Sequence, residues 1–286
     1  ESARLVAVCD PLPEDQLNWT ARLSENVPLF EDTTALLASA IDFEVVCICT
    51  PNGLHAKQAI QFLKAGKHVV VEKPLALSVA DCKAIIKASK DANKHVFGVM
   101  QNRYSPASIW FKEQIDAGVM GAILQVHLNC FWNRDHRYYT LPPGGRPHPW
   151  HGDKALDGGV LFTQFAHFID LLCWCFGDVR IHSARLANQN HKDLHVFADA
   201  GVVHFSLGPG TLGSLNFSTA IWDQNFESTL TAIGERGTIK LGGQYMNEVR
   251  HCHVEGLAFP DLPPSNPANN YGQYTGSAAN HHFIID

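Results

Sequence analysis

The sequence predicts two fold classes in series. Residues 1–104 read as a doubly wound α/β unit lacking its first strand and glycine loop, and residues 105–286 as an α+β unit with a large open antiparallel sheet. Three observations carry this. Residues 45–74 (VVCICTPNGLHAKQAIQFLKAGKHVVVEKP) run strand, helix, strand in about 30 residues, a parallel βαβ unit with a right-handed crossover. The β-rich run at 4–9 closes on Asp10 and Pro11 with no G-x-G-x-x-G turn after it. From Gly121 onward, long β-like runs replace the strand–helix alternation.

Without a glycine turn, residues 4–9 are the second strand of a Rossmann unit; the first strand, its turn and the first helix are expected upstream of Glu1. Asp10 then sits where an acid accepts hydrogen bonds from the adenosine ribose, and its charge repels a 2′-phosphate, favouring NAD over NADP. The competing reading is a turn aspartate before proline. A helix is expected over 14–24, a strand over 27–30, and a helix through 40 capped by Asp32. Residues 45–49 are apolar and β-branched, the pattern of a buried parallel strand. The helix over 53–65 presents Ala56, Ile60 and Leu63 on one face, and Gly66 ends it in the left-handed region. A second buried strand, 68–71, delivers Glu72, Lys73 and Pro74 to its carboxyl end.

Ligands of open α/β sheets bind beyond the carboxyl ends of the strands. Two polar clusters fall there: Thr50, Pro51 and Asn52 with His55, and Glu72, Lys73 and Pro74. A lysine held by the proline that follows it is placed for chemistry; a solvated turn lysine is the alternative. Ser78 and Asp81 form a capping box for a helix through 92. A strand over 95–100 ends in Gln101, Asn102, Arg103 and Tyr104, again at a carboxyl end; Arg103 reads equally as a structural ion-pair partner.

A helix over 105–117 leads into β-like runs at 122–132, 179–187, 196–207, 213–220, 227–233 and 237–241, with glycine turns at 208–210 and 234–235. These predict antiparallel meanders in one wide sheet with a helix on one face. An uncovered apolar sheet face becomes a subunit interface, so a homo-oligomer, dimer or tetramer, is expected. Residues 133–150, rich in Arg, Tyr, Pro and Gly, form a long excursion near the site, at a subunit contact, or on the surface. Residues 157–176 (DGGVLFTQFAHFIDLLCWCF) predict a helix starting at a glycine pair, with Val160, Ile169, Cys173 and Phe176 toward the core and Gln164 and His167 sharing a face.

Of the chain's 286 residues, 45% are hydrophobic and 17% charged, and the net charge is −6 with no basic tract, so neither nucleic acid nor an anionic membrane is an expected partner. No apolar run approaches the ~20 residues that span a bilayer. The eight cysteines form no CxxC pair and read as reduced thiols of a cytosolic protein. His251, His253, His281 and His282 lack the spacing of a zinc site, and no metal is expected.

The wording TPNxxH followed by AGKHVxxEKPLA resembles the Gfo/Idh/MocA oxidoreductases. That resemblance implies a Rossmann domain followed by an α/β domain with a large open sheet, NAD(P)-linked chemistry on sugars or cyclitols, and a catalytic role for the EKP lysine, here Lys73. It also implies that Gln101, Arg103 and Tyr104 border nicotinamide and substrate. Many members have GG-x-x-x-D-x-G-x-H with the Asp and His facing the reacting carbon; His167 matches the His, and Gln164 stands in place of the Asp. Gln164, the RYxP turn at 103–106, the segment from Trp150 (W-x-G-x-x-x-L-D-G-G-V-L) and the late N-Y-G-x-Y-x-G-S-x-x-N-H at 270–281 together resemble the UDP-N-acetylglucosaminuronate 3-dehydrogenases of bacterial surface-polysaccharide synthesis. By that resemblance Tyr271, Tyr274, Ser277, Asn280 and His281 bind substrate. The chain stops within what reads as the start of a final helix.

Removing hydride from a sugar carbon builds charge on its oxygen, which calls for a base with a pKa near the working pH. Lys73, whose free pKa lies near 10.4, needs depression by burial or a nearby cation; His167, near 6.5, needs little. Both are expected to contact the reacting hydroxyl, converging over the nicotinamide, while Gln164 orients by hydrogen bonding. Arg103, Arg134, Arg137 and Arg146 are candidates for the pyrophosphate and carboxylate of such a substrate, Arg137 and Arg146 reading also as exposed loop residues. Two further functions stay open: a dehydrogenase for a free sugar or cyclitol, and a homologue that binds nucleotide without turnover.

Overall fold

The computed structural model describes residues 3–13, 21, 26–142, 145–208, 210–265, 268–270, 275–278 and 280–281, with backbone alone at 268–270 and 275–278. The expected helix at 14–24, apart from Ala21, and the final residues 282–286, including His282, lie outside them, as do Tyr271 and Tyr274. The chain's described residues divide into two compact units, those of 1–50 with 54–98 and those of 51–53 with 99–281.

In the first unit, β1 (Val8–Cys9) pairs in parallel with β2 (Leu29–Phe30), and β3 (Val45–Ile48), β4 (His68–Val71) and β5 (Val96–Gly98) form a parallel three-stranded sheet in that order. Parallel strands linked through helices are the build of a doubly wound α/β unit. Helix α1 (Thr33–Ala38) starts where the Asp32 carboxylate accepts from the backbone N–H groups of Thr34 and Ala35 at 2.7 and 2.8 Å. Helix α2 (His55–Lys64) buries Ala59, Phe62 and Leu63 against the triplet, and Gly66 ends it at φ +77°. Helix α3 (Val79–Ala92) begins with the expected box: Ser78 Oγ accepts from Asp81 N at 3.0 Å and donates to its carboxylate at 2.7 Å. One expectation is corrected. β3 is not buried on both faces: Val45, Cys47 and Cys49, alternate residues on one side of the strand, are exposed, while Ile48 on the other side is buried.

The second unit is built on a seven-stranded sheet ordered β14-β13-β12-β6-β11-β10-β9, from β6 (Ile123–Phe131), β9 (Val179–Ala187), β10 (Ala200–Leu207), β11 (Thr211–Ser218), β12 (Glu227–Gly234), β13 (Gly237–Gly242) and β14 (Glu248–Val254). All its pairs are antiparallel except β6–β11, which is parallel, so the sheet is mixed. Helix α4 (Pro106–Asp116), capped by Ser105, and the segment around 160–176 pack on one face over Val126, Leu128, Cys130, Phe205, Phe217, Leu230 and Ile239. Trp132 lies edge-on to Phe165, Phe168 and Tyr245, each at 5.5 Å, and its Nε1 donates to Ser228 Oγ at 2.9 Å.

The opposite face is not the apolar surface expected. Alternation puts His127, Asn129, Ser214, Asn216, Ser206 and Thr229 there, and they join in a polar lattice: Asn216 to Asn129 at 2.8 Å, His127 with Ser214 at 2.8 Å, His182 with Ser206 at 2.9 Å. Strand β10 begins at Ala200 rather than 196; Val196 is 78% exposed in the loop before it. The excursion at 133–150 contains a short helix, α5 (His136–Tyr139), and a small hairpin, β7 (Thr140–Leu141) with β8 (Arg146–Pro147).

Candidate active site

In the first unit, the carboxyl ends of β1, β3 and β4 carry Asp10, Thr50 and Lys73. The Asp10 carboxylate accepts from Leu12 N at 2.9 Å, an Asx turn at the strand end. Thr50 donates to the Gln58 side chain at 2.6 Å. Lys73 is half-buried, and its backbone N–H donates to the Glu72 carboxylate at 3.1 Å. His55 joins the two strand ends. It is fully buried, with Nδ1 at 2.7 Å from the Pro74 carbonyl and Nε2 at 2.8 Å from the Thr50 carbonyl. Both ring nitrogens are therefore committed to main chain. The side chain read from sequence as a cofactor contact holds the Thr50 and Lys73 turns instead of presenting a donor outward. An acceptor carboxylate, a hydroxyl and an ammonium at the carboxyl ends of parallel strands are polar groups that fit a dinucleotide.

In the second unit, Asn52 is 5% exposed, and its two amide N–H bonds go to the Asp157 carbonyl (2.8 Å) and Thr163 Oγ1 (3.0 Å). Gly53 beside it donates to the Leu156 carbonyl at 2.9 Å. The expected continuous helix over 157–176 is two helices, α6 (Val160–Thr163) and α7 (Ala166–Phe176), separated at Gln164 and Phe165, whose φ/ψ are −90/−46° and −106/3°. The departure at Phe165 interrupts the ladder, so Gln164 and His167 do not sit one above the other on a regular helix. Both are 5% exposed. The glycine pair has a local cause. Gly158 and Gly159 stand at φ +84° and +110°, and a Cβ on Gly159 would lie 3.2 Å from the Phe197 ring, so this glycine is needed for the chain's own packing.

Arg103 follows its structural reading. Nε and Nη2 grip the Asp170 carboxylate in a bidentate pair (2.6 and 2.5 Å), with the guanidinium 5.5 Å from the Trp174 ring. That bond raises the Arg103 pKa above its ordinary value. Gln101 is 2% and Tyr104 38% exposed. Arg134 is 4% exposed, 4.8 Å from the Trp132 ring and 5.3 Å from Tyr138. Arg137 pairs with Asp135 at 2.7 Å and Asp223 at 3.3 Å, and Arg146 is exposed. Asn280 is 1% exposed and His281 half-buried; Ser277 lies in a strand (Thr275–Ala278) where only backbone is described. Among the described residues, no cluster of three His, Cys, Asp or Glu is placed to hold a metal.

Sequence reasoning missed a second buried cluster. The Asp199 carboxylate accepts from the backbone N–H groups of Gln189 and Asn190 and contacts His191 Nδ1 at 2.9 Å; the His195 ring stacks on Phe197 at 4.0 Å and sits 4.8 Å from Tyr139. The spacing His191, His195, Asp199 was its only sequence signal.

The profile of the oxidoreductase family with an NAD-binding Rossmann fold matches residues 1–99, and that of the GFO/IDH/MocA C-terminal domain matches residues 110–240. The chain belongs to the Gfo/Idh/MocA oxidoreductase family. It is similar to the WlbA dehydrogenase of Bordetella pertussis, solved in complex with NADH and UDP-GlcNAcA, at 32% identity and a TM-score of 0.81 over 90% of this chain and 71% of that one. It is also similar to a levoglucosan dehydrogenase of Pseudarthrobacter phenanthrenivorans (34% identical over 162 residues, 55% of this chain and 40% of that protein). An inositol 2-dehydrogenase of Salmonella typhimurium is 29% identical over 157 residues, 54% of this chain and 39% of that protein. The chain spans about half the length of the curated relatives it matches.

Proposed function

We propose that the full-length protein is an NAD-dependent dehydrogenase that oxidises the C3 hydroxyl of UDP-N-acetylglucosaminuronate, a cytoplasmic step of surface-polysaccharide synthesis. The observation that carries the reading is the likeness, over nine-tenths of the chain, to a dehydrogenase solved with NADH and UDP-GlcNAcA, together with a lysine held at the carboxyl end of β4. NAD, when bound, accepts the hydride. Lys73 and His167 share the proton of the reacting hydroxyl, and Gln164 orients the sugar without acting as a base, since a carboxamide hydrogen-bonds but does not take up a proton at neutral pH. Asp10 takes the adenosine ribose, and Thr50, Pro51, Glu72 and Gln101 line the cofactor. Tyr104, Tyr271, Tyr274, Ser277, Asn280 and His281 belong to the substrate side, and any part of Arg103 in binding is limited to the nitrogen that Asp170 leaves over. The functional halves divide at 104. The assembly is a homo-oligomer through the open sheet face.

A specific observation favours a second reading. Levoglucosan and inositol dehydrogenases are among the relatives, so a free sugar or cyclitol is the competing substrate class. A substrate screen on the full-length protein, read by NADH absorbance, decides between them: turnover of UDP-N-acetylglucosaminuronate supports the first, and turnover of inositol or levoglucosan without it supports the second. Cofactor binding with no turnover of any sugar rejects both.

A further inference from the structure

We infer that Asn52, Thr163 and Asp157 form a buried brace that positions Gln164 and His167. This rests on the dehydrogenase reading for its functional consequence and on geometry for its existence.

Asp157 is the hub. It is 1% exposed, and its carboxylate gathers the backbone N–H of Gly152 at 2.9 Å, that of Gly159 at 3.3 Å, and the hydroxyl of Thr163. Its carbonyl accepts one Asn52 N–H, and Thr163 Oγ1 accepts the other. Thr163 is 8% exposed, so these bonds lie in the protein interior, where the low dielectric strengthens them. Asn52 and Thr163 are 111 positions apart, so the contact is tertiary and reflects no local helix preference.

The placement gives the brace its consequence. Thr163 is the last residue of α6, and Gln164 is the next residue; the break at Phe165 and then His167 follow. The Asp157–Thr163 bond ties the end of α6 back to the turn before it, which fixes where the helix stops and the direction in which Gln164 and α7 leave. Asn52 closes the brace from the TPN turn, and the Gly53 N–H bond to Leu156 locks that turn to the same segment. Asn52, read from sequence as a cofactor contact, is thereby a positioning residue. An imidazole displaced by even about 1 Å from its reacting hydroxyl loses up to ~100-fold in rate.

The test uses the full-length enzyme with NAD and UDP-N-acetylglucosaminuronate. Thr163→Val removes the hydroxyl at constant shape, Thr163→Ser restores it, and Asn52→Ala empties the other side. The brace predicts that Thr163→Val and Asn52→Ala lower kcat at least ~10-fold while KM for NAD and the dissociation constant of NADH stay within about twofold. Thr163→Ser returns kcat to within about threefold of wild type. Unchanged kcat in a folded Thr163→Val protein overturns it. So does a loss of NADH affinity in Asn52→Ala that matches its loss of kcat, which would make Asn52 a cofactor ligand. If Thr163→Val does not fold, Asn52→Ala is judged by the same split. If the wild type turns over no sugar at all, the proposed function fails, and the brace is decided by the His167 ring signals in NMR, assigned with His167→Gln. A shift in Thr163→Val that Thr163→Ser reverses supports it; unmoved signals overturn it.

Discussion

Lys73, proposed as a proton-transfer group, stands in a tightly bonded turn. The β4 strand ends one residue before Glu72, the Glu72 carboxylate takes the Lys73 backbone N–H, and His55 holds the next residue's carbonyl at 2.7 Å. Loss of a positioned proton-transfer group costs ~10²–10⁴ in rate, so Lys73→Met is expected to lose that much kcat while keeping its melting temperature within a few degrees. Steady-state turnover beside a thermal melt checks both. The lysine was legible in sequence because strand, turn and proline are consecutive. The partner of Arg103 was not: Asp170 lies 67 positions on, and a strand-end arginine reads alike with or without an acid opposite. A double-mutant cycle of Arg103→Ala and Asp170→Ala is expected to show about 1 kcal/mol of coupling in urea unfolding, modest because the arginine is 37% exposed. Coupling near zero would mean that the pair is only a geometric coincidence.

Among the elements, the strand–helix–strand unit at 45–74 was read nearly residue by residue, since the β-branched runs, the helical apolar face and Gly66 are all local signals. The break between α6 and α7 was not, since the sequence at 164–166 has neither proline nor glycine, and the contact that reaches the end of α6 from outside the segment comes from Asn52, 111 positions away. Strand β14 was missed because it is polar on one side and its alternation is interrupted: His251 and His253 face away from the core, while Val249, Cys252 and Val254 pack on the other face across a register shift at Lys240 and Leu241. Gly53 was visible as a helix-start glycine, but its real constraint was not. A Cβ there would stand 2.0 Å from the Ala155 carbonyl oxygen, which is backbone and cannot turn aside. Gly53→Ala is expected to cost about 2–3 kcal/mol, measured by urea midpoint, whereas Gly66→Ala, with open space at its Cβ, is strained only by its φ of +77° and is expected to cost about 1 kcal/mol.

For the whole molecule, the order of elements and the wide sheet were foreseeable from the switch of hydrophobic period near Gly121. The polarity of the open face was not, because alternation announces a half-buried strand without saying what the outer residues bond to. Acid sensitivity is a property at this scale. Burial lowers the pKa of His148 and His195 from 6.5, and His191 lowers that of His195 further. Between the lowered and ordinary values the unfolded chain binds more protons than the folded one, so stability rises with pH in that window. It is fully present above about 6.5 and lost as pH falls through the folded values. The melting temperature is expected to drop by ~2–4 °C between neutral pH and about pH 5, and less in His195→Gln; an unchanged drop in that variant would rule His195 out as a contributor. The measurement that tests the central claim most directly is NADH formation by the full-length protein from NAD and UDP-N-acetylglucosaminuronate, with Lys73→Met alongside. The expected result is turnover in the wild type that falls by two or more orders of magnitude in the variant. Turnover that survives intact in Lys73→Met, or that occurs only with a free sugar or cyclitol, would contradict the account.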